Sequence, residues 1–479
     1  MTTENLADAL AAIVGPAQVL TVDGDMAPYL GDWRGRYRGV ARCVVRPGNT
    51  AEVSAVVRAC AEAGTPIVPQ GGNTSHCGAG IPDTTGRAVL LSLSRMNAIR
   101  AIDTANDTIT VEAGCILQTV REAASAVDRL FPLSLAAEGS CQIGGNLATN
   151  AGGVQVLRYG NARELTLGLE VVLPSGEVWE GLRGLRKDNT GYDMKQMFIG
   201  SEGTLGIITA AVLKLFPRPR AAATAWLAIA SPRAATSLLS ELRARFDTAL
   251  TACELISDVS LGLVEKHIRG ARAPLAGSPW HLLVELSGPG EDEALRASLE
   301  SFLERALEGG GITDAVVAQS GEQAKRLWTL RERISEAQKI EGVSIKHDIS
   351  VPVSRIGEFL DRAGAALEAA YPGIRIVAFG HVGDGNLHYN QSRPEIGENT
   401  AFIAATPQVN RIVHDIAHVL GGSISAEHGI GQLKREELRR YKSAVELDMM
   451  RAIKRAIDPQ GIMNPGKVLS EDRVSEDSG

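Results

Sequence analysis

The chain has 479 residues, 44% of them hydrophobic and 22% charged, the balance of ordinary globular protein and a length for two to four domains. Lys and Arg number 49 against 56 Asp and Glu, a formal charge of −7, which argues against the basic field of a general nucleic-acid binder. No run approaches the roughly 20 apolar residues of a membrane span. The opening MTTENLADALAAIVG lacks the basic flank of a signal peptide. Six cysteines without a C-x-x-C pair suggest neither a disulfide framework nor a zinc ribbon. A cytoplasmic protein is expected.

In chain order, the first clear element is a helix over 49–64. Asn49 and Glu52 make a capping box, Val53, Val56, Val57 and Cys60 form one stripe, and Gly64 stops it before Pro66. A short apolar strand, Pro66–Pro69, runs into the pair Gly71-Gly72, followed by Asn73, Thr74 and Ser75. Without Cβ atoms such a loop lets backbone N–H groups approach a diphosphate, although alone it suits a tight turn equally well. It is not a G-x-G-x-x-G fingerprint.

Strands are expected at 88–93 and 108–112, then at 168–173 and 177–180 around Pro174-Ser175-Gly176, and at 205–215 before Pro217. Between them lie three more clusters of small and amide residues. The first, 139–153, contains Gly139, Ser140, Gly144, Gly145, Asn146, Thr149 and Asn150. The second is Lys187–Asp193, and the third, 200–208, contains Gly203, Gly206, Ile207 and Ile208. Together the clusters suit a large planar ligand. Pro-Arg-Pro-Arg-Ala at 217–221 marks a boundary, after which Ala-, Glu- and Arg-rich helical patterns replace the glycine clusters until 380–386 and 421–431. The architecture is therefore read as α+β, divided into 1–217, 218–435 and a C-terminal segment 436–479.

Leu327–Gln338 reads as a helix with Arg331 and Ser335 on one face, a guanidinium beside a hydroxyl that could grip a carboxylate. Lys346 follows in an alternating strand, Ser344–Pro352. A solvated charged face is the competing reading. Next comes Ile374–Asn390, two alternating runs around Asp384-Gly385, a strong hairpin signal. A two-residue turn there sets His381 directly opposite His388, with Cβ atoms about 5 Å apart. Asn390 shares their face. Two imidazoles so placed, with Glu427 as a carboxylate, suit one zinc-like ion, and the adjacent His428 would be a free base. A zinc hydrolase has the same needs, but no use for four glycine clusters. A non-catalytic metal or nucleotide module is a third reading. Gly461–Lys467 fits Walker A spacing, but Val468 stands where Ser or Thr must bind magnesium, so a P-loop is rejected.

These clusters, in this order over roughly 35–470, resemble the vanillyl-alcohol-oxidase (PCMH-type) flavoprotein family. The histidine–glutamate set resembles its branch of D-2-hydroxyglutarate and D-lactate dehydrogenases. The resemblance implies a PCMH-type FAD-binding domain of two α+β subdomains, an α+β substrate (cap) domain, and a C-terminal helical segment returning to the flavin. It implies FAD contacts from Gly71–Ser75 (pyrophosphate), Ser140–Asn150 (flavin and ribose) and Gly203–Ile208 (adenine side and flavin), with Pro69, Gly139 and Asn464 of the Asn-Pro-Gly-Lys segment also binding the cofactor. His76 lies one place beyond Ser75, and non-covalent FAD is expected. The resemblance further implies a divalent metal, zinc, on His381, His388 and Glu427, with His428 as base. Arg331, Ser335, Lys346 and Asn390 would bind a D-2-hydroxy acid. Ser335 replaces a threonine of the relatives, and His347 stands where tyrosine is common. D-2-hydroxyglutarate is the expected substrate, with D-lactate and D-malate as alternatives. An electron-transfer flavoprotein, quinone or similar acceptor and a homodimer are expected with it.

Overall fold

Asn49 opens the helix Thr50–Glu62 by accepting the Glu52 N–H at 2.9 Å, while the Glu52 carboxylate accepts the Gly48 N–H at 2.7 Å. The reciprocal bond thus lands one residue before the cap. Val53, Val56, Val57 and Cys60, spaced along one face, are wholly buried. A computed structural model describes residues 3–470, with residues 3–5 described by backbone alone. It divides into two units: 1–153 with 160–218 and 427–479, and 154–159 with 219–426.

The first unit holds two main sheets. In one, the order is Val19–Leu20, Cys43–Val45, Val89–Ser92, Ile67–Gln70, and the last three strands run parallel. Parallel strands buried on both faces explain their continuous apolar runs. The other is antiparallel, in the order Ile99–Asp103, Thr108–Glu112, Ile207–Lys214, Thr166–Val172, Val178–Gly181. The segment expected not to be a P-loop instead extends the edge of the first sheet. Met463 bridges Ile67 in parallel, and the Asn464 N–H donates to the Ile67 carbonyl at 2.8 Å.

The second unit is built on one sheet in the order Asp314–Val317, Ala221–Ile229, Trp280–Gly288, Leu250–Ser257, Arg375–His381, Asn386–Ser392, Ser344–Ile345, with Asp348–Ser350 also pairing Asn386–Ser392. The period-2 alternation of its strands separates two apolar clusters. Ala225, Leu227, Cys253, Leu255, Leu387 and Tyr389 belong to one, Trp226, Ile256, Val377 and Phe379 to the other.

Two expected elements are broken. The helix through 327–338 ends at Glu332, and a second, Ile334–Glu341, begins after Arg333. The strand expected over 344–352 is two short pieces, Ser344–Ile345 and Asp348–Ser350, which pair separate stretches of the same neighbour. Among the described residues, no helix is long and apolar enough to cross a membrane.

Candidate functional site

The hairpin carrying the histidines forms with a four-residue loop, 382–385, in place of the two-residue Asp384-Gly385 turn. Tertiary pairing decides this, because the Val382 N–H is taken by the Cys253 carbonyl of the next strand at 3.0 Å. Asp384 is absent from the positive-φ residues, whereas a type I′ turn needs both central residues there. The register therefore sets His388 opposite Phe379 rather than His381. His381, two residues beyond Phe379, stays on the same face, and the two imidazole centroids lie 6.1 Å apart. Glu427 follows Ala426, whose N–H donates to the Asp348 carbonyl at 3.2 Å. His381 and His388 thus present two imidazoles on one face, two of the ligands a divalent ion needs.

Both histidines are backed by carboxylates. Glu254 pairs His381 directly across the strands, so both side chains leave the sheet on one face. The Glu254 Oε1 meets His381 Nδ1 at 2.5 Å, and its Oε2 accepts Arg331 Nε at 2.6 Å. Burial alone would raise the Glu254 pKa, but His381 and Arg331 together hold it at about 2. His388 Nδ1 lies 3.9 Å from Asp348 Oδ1. A carboxylate at hydrogen-bond distance, as Glu254 is from His381, fixes the tautomer and orientation of a metal-binding imidazole. Neither Glu254 nor Asp348 was singled out from sequence. The available signal was a lone Glu in the otherwise uncharged strand LTACELIS, which is buried throughout.

Arg331 lies over the Phe379 ring at 4.7 Å, and among the described residues no acceptor meets its two Nη groups. Ser335 does not join it. The helix break at Arg333 rotates Ser335 onto an exposed face, so the expected fork is absent. Lys346 is half-buried between the two short strands. Asn390 is buried with its amide engaged at both ends, Oδ1 accepting the His347 N–H at 3.1 Å and Nδ2 donating to Gln338 at 3.0 Å.

The first unit gathers the glycine clusters at the end of the strand Ile67–Gln70. Gly72 lies so close to the Ser140 carbonyl that a Cβ would overlap it, and Gly71 faces Gln142 and the Gly145 N–H. Gly203, at φ +72°, packs on Pro69. Asn73 (φ 53°) donates to the Gly31 carbonyl at 2.8 Å, and the Ser75 hydroxyl accepts the Cys77 N–H at 3.2 Å. Thr74 is half-exposed beside them. Gly144 packs against Ala113, Thr149 donates to the Gly145 carbonyl at 3.0 Å, and Asn150 accepts the Arg163 N–H at 3.0 Å. Gly139 and Ser140 are exposed, while Gly206, Ile207 and Ile208 are buried where the last strand starts. Asn464 ties the chain's return to these loops, donating to the carbonyls of Ala79 at 3.0 Å and Glu202 at 2.7 Å.

Glu202, inside the last cluster, accepts the N–H groups of Ile430 at 2.7 Å and Gly431 at 2.8 Å. Burial pushes its carboxyl up against the pull of those two bonds. This clamp sets His428 against the first loop, where its ring stacks on His76 with centroids 4.1 Å apart and planes 10° from parallel. Lys467 is buried as well, and burial lowers its ammonium to about 8.

These loops fit a flavin dinucleotide. The amide oxygens of Gln142, Asn146 and Asn464 are buried with no donor among the described residues. Such acceptors suit the ribityl hydroxyls and ring N–H of a flavin.

Residues 41–181 match the FAD binding domain family, and residues 218–468 match the C-terminal domain of FAD linked oxidases. A mitochondrial D-2-hydroxyglutarate dehydrogenase of Bos taurus is 38% identical over 466 residues, 96% of this chain and 83% of that one. A D-2-hydroxyglutarate dehydrogenase of Xanthomonas citri pv. viticola is 39% identical over 461 residues, 96% of each chain. Among solved structures, p-cresol methylhydroxylase with substrate bound superposes with a TM-score of 0.76 at 18% identity, covering 97% of this chain and 96% of that one. That last likeness concerns the fold alone.

Proposed function

Because the chain belongs to the D-2-hydroxyglutarate dehydrogenase family of FAD-linked oxidases, we propose that it uses FAD to oxidise D-2-hydroxyglutarate to the 2-oxo acid. In this reading zinc and a non-covalent flavin complete the active enzyme. The observation that carries it is the pair His381 and His388 on one face of the sheet, each beside a carboxylate, with Glu427 proposed as the third ligand. When bound, FAD would supply the hydride acceptor for C2, and an ion held by His381, His388 and Glu427 would supply the Lewis acidity that makes the C2 hydroxyl easier to deprotonate.

The chain's own residues do the rest. His428 accepts the hydroxyl proton as general base. Arg331 offers its Nη edge and Lys346 its ammonium to the substrate's carboxylates, a pair of cations that favours a dicarboxylate over lactate. The first unit holds the cofactor and the second the substrate. The proposal extends to an electron-transfer flavoprotein or quinone as acceptor, a homodimer, and a cytoplasmic location.

An anaerobic titration tests the substrate. D-2-hydroxyglutarate is expected to bleach the flavin's visible absorption at lower concentration than D-malate or D-lactate. Bleaching by D-lactate alone would reassign the substrate, and no bleaching by any of the three would sink the reading. The cofactor cradle has its own test. Gly72→Ala forces a methyl into the Ser140 carbonyl, so the purified variant should carry clearly less FAD per chain than wild type. Full occupancy would show that the loop contact is dispensable for holding the cofactor.

A further inference from the structure

We propose that Glu254 is a positioning residue that holds the metal ligand His381 and the substrate anchor Arg331 on one carboxylate, so that ion and substrate are aligned by a single side chain. The inference rests on the functional reading above and adds a residue to it.

Three observations support it. Glu254 is 1% exposed, and each of its oxygens takes one partner, His381 Nδ1 at 2.5 Å and Arg331 Nε at 2.6 Å. The pairing is built into the sheet, because Glu254 and His381 are direct cross-strand partners. The surroundings are apolar, with Ile256, Phe379 and Leu330 in the cluster on that face. An ion there is costly unless every lone pair is used.

The chemistry follows from which nitrogen is engaged. With Nδ1 turned to the carboxylate, its proton is held there and Nε2 is the nitrogen that would serve an ion. With Nε of Arg331 turned to the same carboxylate, the Nη edge is left for an anion. A salt bridge serving stability alone would not require that both remaining edges be the functional ones.

Glu254→Gln separates the two roles. Glutamine has one acceptor oxygen and one NH2 donor, so it cannot accept from both partners. If its oxygen stays on Arg331, its NH2 faces His381 Nδ1, which draws the imidazole proton to Nε2 and blocks the ion. If its oxygen turns to His381, its NH2 opposes the Arg331 Nε–H and the anchor shifts.

The flavin-loaded, metal-stripped protein would be titrated with Zn2+ alone against a competing chelator, and KM and kcat for D-2-hydroxyglutarate measured on the reloaded protein. We expect Zn2+ affinity to fall about 10- to 100-fold, or KM to rise with kcat less affected. Wild-type affinity together with wild-type KM would overturn the inference. Wild-type protein that binds no Zn2+ would instead overturn the metal reading on which it rests. A measurement on the unmutated chain covers the case in which the variant does not fold. In 15N spectra of the metal-free protein, the neutral His381 ring, assigned by its loss in His381→Asn, should carry its proton on Nδ1. A proton on Nε2 would overturn the inference.

Discussion

Replacing His428 with Ala is expected to lower kcat about 10²- to 10⁴-fold, the range a general base supplies, while FAD and metal contents stay near wild type. The expectation rests on how the residue is held. Its segment is fixed by backbone bonds, with the Ile430 and Gly431 N–H groups on Glu202 and the Gln432 N–H on the Cys77 carbonyl at 3.0 Å. Removing the imidazole therefore leaves the backbone clamp intact. What is lost is a half-buried ring stacked on His76. Steady-state turnover at saturating substrate, together with flavin absorbance and metal analysis of the same sample, checks it. Near-normal turnover would remove His428 from the mechanism.

The second large effect concerns His388. On the proposed reading its replacement by Ala takes away one of three protein ligands of a metal that would stabilise charge in the transition state by several kcal/mol. Metal content and activity should therefore fall together, the activity by about 10³-fold or more. His388 is only half-buried at the ring and packs beside Phe379 at 4.9 Å between centroids, so the loss leaves no large void in the core. Chelator treatment of wild type should reproduce the loss, and added Zn2+ should restore activity to wild type but not to the variant. Unchanged metal content in His388→Ala would exclude it as a ligand.

What the sequence conveyed was mostly local. The helix after Asn49 and the strands of the first unit were legible because caps, turns and apolar periods are written within a few residues. The glycine clusters were legible because a cofactor cradle needs close backbone approach, as at Gly72 and Ser140. The common face of His381 and His388 was legible from alternation, but their register was not. It is settled by Cys253, more than a hundred residues earlier, which takes the Val382 N–H. Ser335 misled for a similar reason. Its spacing from Arg331 fits one helix, yet the chain breaks at Arg333, where φ −82° and ψ 0° end the first helix and start the second. Glu254 stayed hidden because a lone carboxylate in an uncharged strand shows its meaning only when the partners across the sheet are known.

The edge contributed by Met463 and Asn464 has a consequence for biosynthesis. The strand they complete, Ile67–Gln70, leaves the ribosome long before its last neighbour is made. The whole second unit is translated in between. Closure of that sheet edge is thereby deferred until residues 463 and 464 have been made, and a message truncated shortly before codon 463 yields a chain with its second unit entire and that edge of the first left open.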